Sequence, residues 1–131
     1  MPVRSGWRRS ARLVCRWLLA GLFVGSGTLH FAHAAFFQSI VPPGFPDPPL
    51  LVAISGVCEM AGAVGLLIPL LRKAAGWGLI ALLIAVFPAN IYMAIVYGRF
   101  ATIPAVLLWA RLPVQVVLIA VVYFAAELPG S

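Results

Sequence analysis

Four long apolar segments account for most of this 131-residue chain. They comprise residues 17–37, 50–71, 74–97 and 103–126. Each exceeds the roughly 18 apolar residues that a helix needs to cross the hydrocarbon core of a membrane. None shows the strict alternation of apolar and polar residues that is typical of a membrane β-strand. The segments therefore predict an all-α fold, an antiparallel four-helix transmembrane bundle.

The composition agrees with a chain that folds in lipid. Apolar residues make up 63% of the chain and charged residues 9%, against about 45–50% and about 25% in soluble domains. So few charges cannot coat the surface of a soluble domain of this length. Two cysteines are too few for a disulfide-stabilised scaffold. We expect Cys15 and Cys58 to remain unpaired, because their predicted depths in the membrane differ by about 15–20 Å.

The basic residues predict how the bundle is oriented. The net charge is +6, and five of the nine basic residues precede residue 17. Arg72 and Lys73 lie between the second and third segments, whereas Arg99 lies between the third and fourth. Lys and Arg are retained on the cytoplasmic side of a membrane, so both termini are predicted to be cytoplasmic and Arg99 external. We therefore read the charge as a topology signal, with the lipid bilayer and no nucleic acid as the partner.

Three parts of the chain follow from this topology: a basic cytoplasmic segment at 1–16, a four-span membrane domain at 17–126 and a C-terminal tail at 127–131. Five prolines among residues 38–49 predict a stiff external loop. An alternative for the first segment is a secretory signal that is cleaved before Ala35. The apolar run continues beyond this point and is longer than a typical signal core, which favours an uncleaved span.

Each predicted span carries one polar residue at a similar depth, seven to nine residues from its outer end. These residues are His30, Glu59, Asn90 and Arg111. The common depth is about 10–14 Å, and Gln115 lies one turn from Arg111 on the same helix face. An ionisable side chain at the centre of a membrane costs at least about 2.5–3.5 kcal/mol on insertion scales. The five residues therefore need partners or a function, and we predict that they form one buried polar layer.

Small residues predict which helix faces meet. On the second span, Gly56 and Glu59 share a stripe of small residues, which predicts that Glu59 faces a closely packed neighbour. Gly21 and Gly25 predict a second close contact on the first span.

Two prolines lie near the predicted polar layer. Pro88 and Pro113 each remove the hydrogen-bond donor of a carbonyl one helical turn earlier. We expect polar side chains of the layer, or water, to bond the freed carbonyls.

Three interpretations of the polar layer stay open. A buried ion pair between Glu59 and Arg111 would fix the register of the helices. Alternatively, a pocket with Arg111 as donor and with His30 or Glu59 exchanging protons would hold a quinone head group or a small anion. A divalent metal on His30, His33 and Glu59 is the weakest interpretation, because His33 lies one turn nearer the surface. We therefore predict no metal site.

Four stretches of the chain resemble the DoxX-like family of small bacterial integral membrane proteins. They are GTLHF at 27–31, IVPP at 40–43 with ISGVCE at 54–59, VFPANIYMA at 86–94, and LWARLPVQ at 108–115. The resemblance covers nearly all of residues 17–126. It implies a four-helix protein of the bacterial inner membrane with a redox association, and it carries over the five residues of the polar layer without assigning a catalytic residue.

The predicted function is that of a multi-pass membrane component of a redox system, with a quinone as the candidate ligand. The sequence shows no catalytic motif and no flavin, haem or iron–sulfur motif. A soluble or membrane-bound oxidoreductase subunit would therefore be the partner, and a second copy of the chain is a further candidate. A small solute or proton transporter is one alternative function. A structural membrane scaffold without its own activity is another.

Overall fold

A computed structural model describes residues 2–96 and 103–131. It consists of helices α1 (Pro2–Ala32), α2 (Ala34–Ser39), α3 (Pro48–Leu67), α4 (Arg72–Ile95) and α5 (Ala105–Ala125). Within these residues there is no β-strand, which confirms the predicted all-helical fold. The four longer helices are each long and apolar enough to cross a membrane. Arg99, predicted to be external, lies outside the described residues.

The first apolar segment forms two helices rather than one. α1 begins at Pro2 and therefore includes most of the basic segment, and it ends at Ala32. His33 follows with φ −123° and ψ 46°, which interrupts the helical backbone before the six-residue helix α2 begins. Neither proline nor glycine lies at this break, so the sequence gives no local signal for it. The five prolines of the following loop begin only at Pro42.

The four long helices pack in the ring order α1, α3, α4, α5, and α5 also contacts α1. Their directions follow from contacts at one end of the ring. There, Arg16 in the middle of the long helix α1 bonds the Ala125 carbonyl at the end of α5. Arg72 at the start of α4 bonds the Leu66 carbonyl at the end of α3. Sequential helices are therefore antiparallel, and the end that carries these arginines is called the basic end below.

α1 and α3 approach each other closely at two glycines. A Cβ added at Gly27 would lie 2.8 Å from the Gly56 carbonyl oxygen, and one added at Gly56 would lie 2.8 Å from the Phe31 ring. The predicted contact at Gly21 and Gly25 is wrong, because a Cβ at either position would meet no atom within 4 Å. These two glycines lie on a face of α1 that no other described element covers.

The outward faces of the helices are apolar. Val64, Ile84, Val116 and Val117 are each more than half exposed. In water, so many exposed large apolar side chains would cause aggregation, whereas in a bilayer they contact acyl chains. The chain is therefore a multi-pass membrane protein.

The interior holds two apolar clusters with polar residues between them. The larger cluster lies toward the basic end and contains Leu66, Leu79, Val122 and Leu128. The smaller one contains Ile40, Met93, Ala94 and Leu108. On α4 and α5, Asn90 and Gln115 fall between the residues of these two clusters.

Candidate functional site

All five residues of the predicted polar layer line one cavity of about 220 Å³. Its polar lining consists of Ser26, His30, Glu59, Asn90, Arg111 and Gln115, and apolar side chains of α1, α2, α4 and α5 complete the wall. We call it the polar cavity. The helices α1, α3, α4 and α5 each contribute at least one polar residue to it. The similar depths counted along the sequence thus correspond to neighbouring positions in space.

Glu59 pairs with His30 on the wall of this cavity. His30 Nδ1 lies 3.3 Å from Glu59 Oε2, and both residues are only 8% exposed. Ser26 Oγ donates a hydrogen bond of 3.3 Å to Glu59 Oε1. The Gly27 and Gly56 contact explains the pairing, because it brings the end of α1 against the helix that carries Glu59.

His30 Nδ1 lies near two acceptors, the Ser26 carbonyl oxygen and Glu59 Oε2, but its single proton is donated only to the first. Nδ1 lies 2.7 Å from the Ser26 carbonyl oxygen, and a carbonyl oxygen can only accept. Nδ1 therefore carries the proton and donates a hydrogen bond to the Ser26 carbonyl oxygen. Oε2 of Glu59 is buried and receives no hydrogen bond from the described residues. One carboxylate oxygen thus remains free to accept a hydrogen bond from a ligand.

The expected ion pair between Glu59 and Arg111 does not form. Within the described residues, the Glu59 carboxylate contacts His30, and no carboxylate lies within 4 Å of the Arg111 guanidinium. The reason is the ring order of the helices, in which α5 lies across from α3. Arg111 also makes no hydrogen bond to any described residue. The predicted burial of the layer holds for His30, Glu59 and Gln115, but it is wrong for Arg111, which is exposed. The polar cavity is therefore lined by an exposed cation with free donors.

Asn90 and Gln115 form a separate chain of hydrogen bonds. The Asn90 side-chain amide donates to Gln115 Oε1, and Gln115 Nε2 donates to the carbonyl of Leu83. This carbonyl belongs to the helical turn that precedes Pro88, where proline disturbs the backbone ladder. A polar side chain thus bonds a carbonyl next to the one that the sequence predicted would be free.

The metal interpretation finds no support in the geometry. The part of the chain that the structure describes holds no group of three side chains suited to a metal ion. His33 is exposed at the break between α1 and α2. It is therefore not part of the pair that His30 and Glu59 form.

A second cavity of about 230 Å³ adjoins the first. It is lined by apolar residues of the 40–47 loop, α3 and α4, together with His30, Phe37 and Ser55. We call it the apolar cavity. His30, Phe37 and Val86 line both cavities. The rings of His30 and Phe37 stack with centroids 4.1 Å apart, so this stacked pair separates the two spaces.

Residues 19–126 match the sequence profile of the family described as Domain of unknown function (DUF8561). The chain belongs to this family. No curated protein and no solved structure matches the chain. The DUF8561 region contains the entire lining of both cavities.

A charged cluster closes the basic end, and its members Arg12, Arg16 and Glu127 lie outside the DUF8561 region. Arg12, Arg16 and Arg72 lie 3.7, 3.0 and 3.4 Å from the Glu127 carboxylate. Arg12 also bonds the carbonyls of Phe124 and Ser131. Residues 127–131 are therefore folded against the bundle. Leu128, which belongs to this segment, is only 1% exposed.

Glu127 adopts a backbone conformation that usually requires glycine. Its φ is +56°, and it follows the C-cap residue of α5. The Leu128 N–H bonds the Tyr123 carbonyl and the Glu127 N–H bonds the Phe124 carbonyl, which is the Schellman pattern of helix ends. Sequence reasoning did not find this cluster. The signal that could have indicated the cluster was Glu127, one of only three acidic residues in the sequence.

Proposed function

We propose that this protein binds the head group of a quinone in the polar cavity and serves as a membrane component of a redox system. The observation that carries the proposal is the free guanidinium of Arg111 in a cavity that also contains the His30–Glu59 pair. A membrane protein retains an unpaired charge within a span only at a large energetic cost, so such a residue is commonly functional.

The residues of the polar cavity fit both oxidation states of such a ligand. The Arg111 guanidinium offers hydrogen bonds to a carbonyl oxygen, as a quinone ring presents. Glu59 Oε2 is a buried acceptor without a donor among the described residues, so it suits the hydroxyl of a quinol. Conversion between the two forms transfers two electrons and two protons to or from the ring.

Glu59 and His30 are the groups that would handle the protons. They are in contact at 3.3 Å, and Ser26 bonds both of them. A quinol hydroxyl can therefore release its proton to Glu59 Oε2, and the neighbouring Nδ1–H of His30 stabilises the carboxylate that accepts it. Electrons would pass to or from an oxidoreductase subunit, since the proposed role assigns no electron carrier to this chain.

The charge distribution supports an orientation for this function. Arg12, Arg16 and Arg72 cluster at the basic end, which we place at the cytoplasmic face of a bacterial inner membrane. The two cavities then lie in the outer half of the bundle. The resemblance to the DoxX-like proteins supports the redox association.

Quinone binding by the purified protein in detergent tests the proposal. A benzoquinone that carries a decyl chain is titrated while quenching of tryptophan fluorescence is followed. Because hydrogen bonds to a charged group contribute about 1.5–3 kcal/mol, Arg111→Gln should weaken binding at least about tenfold. Arg9→Gln is the matched control, since Arg9 is exposed on α1 and lines neither cavity.

Two results would overturn the proposal. The first is a wild-type protein that does not bind the quinone at all. The second is equal affinity in the wild type, Arg111→Gln and Arg9→Gln, which would mean that the quinone binds to the detergent or to the lipid-facing surface.

A second candidate function is a pathway for protons or a small solute. One observation favours it: His30 lines both cavities, so a titratable group lies between two spaces. Protein in liposomes would then conduct protons or solute, and Glu59→Gln would abolish the flux. Quinone binding without any flux would select the first function over the second.

A further inference from the structure

The apolar cavity has a composition unlike that of the polar cavity. Apart from His30 and Ser55, its described lining is apolar and includes Phe45, Leu51 and Val52. It therefore offers few hydrogen bonds to a polar solute. Its shared walls with the polar cavity place it next to the proposed head-group site.

We propose that the apolar cavity holds the first part of the hydrocarbon chain of the ligand whose head group binds in the polar cavity. This inference rests on the proposed function and specifies its ligand class as a quinone with an isoprenoid or similar apolar chain. The two cavities would then form one site for an amphiphilic molecule.

The wall between the cavities is formed in part by the short helix α2, whose Phe36 and Phe37 are partly buried against the smaller apolar cluster. Phe37 belongs to α2, which has no buried residue. The helix is joined to α1 through the backbone break at His33. Rotation of the Phe37 side chain away from the His30 ring would bring the two spaces into communication.

The apolar cavity would determine where the hydrocarbon chain of the ligand lies, and it would add little hydrophobic binding energy. A hydrocarbon chain in the bilayer is already in an apolar environment, so its transfer into an apolar cavity yields only packing energy. The head group and the chain are covalently joined, however. A filled apolar cavity would therefore prevent the head group of a chain-bearing quinone from seating, whereas a quinone without a chain would still bind.

Two probes and two matched variants test this inference. The probes are a dimethoxy-methyl benzoquinone without a chain and the same ring with a decyl chain. Ala85→Phe places a ring where Ala85 lines the apolar cavity. Ala81→Phe is the control, because Ala81 is also exposed, lies one turn earlier on α4 and lines neither cavity.

The expected result is selective. Ala85→Phe should weaken binding of the decyl quinone at least about tenfold, which corresponds to about 1.4 kcal/mol, and should leave the chain-free quinone within about twofold of wild type. Ala81→Phe should change neither. Ser55→Leu fills the same cavity from α3 and should reproduce the effect if Ala85→Phe does not fold.

The outcomes separate this inference from the proposed function. If the wild type binds neither probe, the proposed function fails. If both probes bind and the cavity-filling variants change neither affinity, or weaken both equally, the chain does not lie in the apolar cavity, although the head-group site stands. Loss of the decyl quinone alone supports the inference.

Discussion

Glu127 combines an unfavourable backbone conformation with three favourable charge contacts, and two substitutions separate these effects. Glu127→Gln removes the charge and keeps the side-chain size. Glu127→Gly removes the charge and also the steric cost of a positive φ of 56°. Both variants are compared with the wild type in detergent at low ionic strength.

The expected magnitudes follow from the geometry. Arg16 lies at hydrogen-bond distance, 3.0 Å, and the other two arginines lie at 3.4 and 3.7 Å. The carboxylate is 44% exposed, so each contact contributes in the range of exposed pairs, about 0.2–1 kcal/mol. We therefore expect Glu127→Gln to lower the free energy of unfolding by about 1–2 kcal/mol. Relief of the left-handed conformation returns about 1 kcal/mol, so Glu127→Gly should be the more stable variant of the two.

Unfolding by sodium dodecyl sulfate, followed by circular dichroism, measures both differences. Because the Debye length shrinks to about 3 Å at 1 M salt, the cost of Glu127→Gln should diminish as salt is added, whereas the difference between the two variants should remain. A Gln variant as stable as wild type at low salt would refute a stabilising role of the charge cluster. A Gly variant less stable than the Gln variant would refute the conformational argument.

Three further predictions concern packing. Gly56→Ala adds a Cβ only 2.8 Å from an atom of α1 and should cost about 1–3 kcal/mol of stability, whereas Gly21→Ala, which meets no atom within 4 Å, should cost almost nothing. Gln115→Leu leaves the Leu83 carbonyl without its side-chain donor and should destabilise the bundle by about 1–2 kcal/mol; unchanged unfolding would contradict that bond. Leu128→Ala empties a position that is 1% exposed and should cost about 2–5 kcal/mol, and a smaller loss in the same unfolding assay would show that residues 127–131 do not pack on the bundle.

The polar layer could be predicted because depth along a helix follows from counting. Each residue of an α-helix rises by a fixed distance, so His30, Glu59 and Arg111 could be placed at similar depths from the sequence. Few isolated polar residues lie within the apolar spans, so few candidates for the polar layer had to be considered. The structure accordingly places all five predicted residues around one cavity.

The pairing within the layer could not be predicted, because it depends on which helices are neighbours. Depth does not specify the ring order, and the ring order sets α5 across from α3. Glu59 therefore contacts His30 rather than Arg111. The small residues that decide the α1–α3 contact were likewise ambiguous, since Gly21 and Gly25 have a favourable spacing but face no described element.

The contacts at the basic end could not be predicted from the sequence, because they join residues that are far apart along the chain. Arg12 contacts Phe124 and Ser131 across more than a hundred residues of chain, and no local pattern reports such a contact. The Schellman ending of α5 was also obscured, because a glutamate occupies the position where glycine is the usual signal.

The contact between the two ends of the chain has a consequence for biosynthesis. Arg12 and Arg16 emerge from the ribosome with α1, but the carbonyls and the carboxylate that they bind belong to residues 124–131. α1 and α3 can associate while translation continues, whereas the ring closes only after α5 has been inserted. Arg12 and Arg16 therefore gain these partners only in the last step of bundle assembly, when α5 and the residues after it reach the basic end.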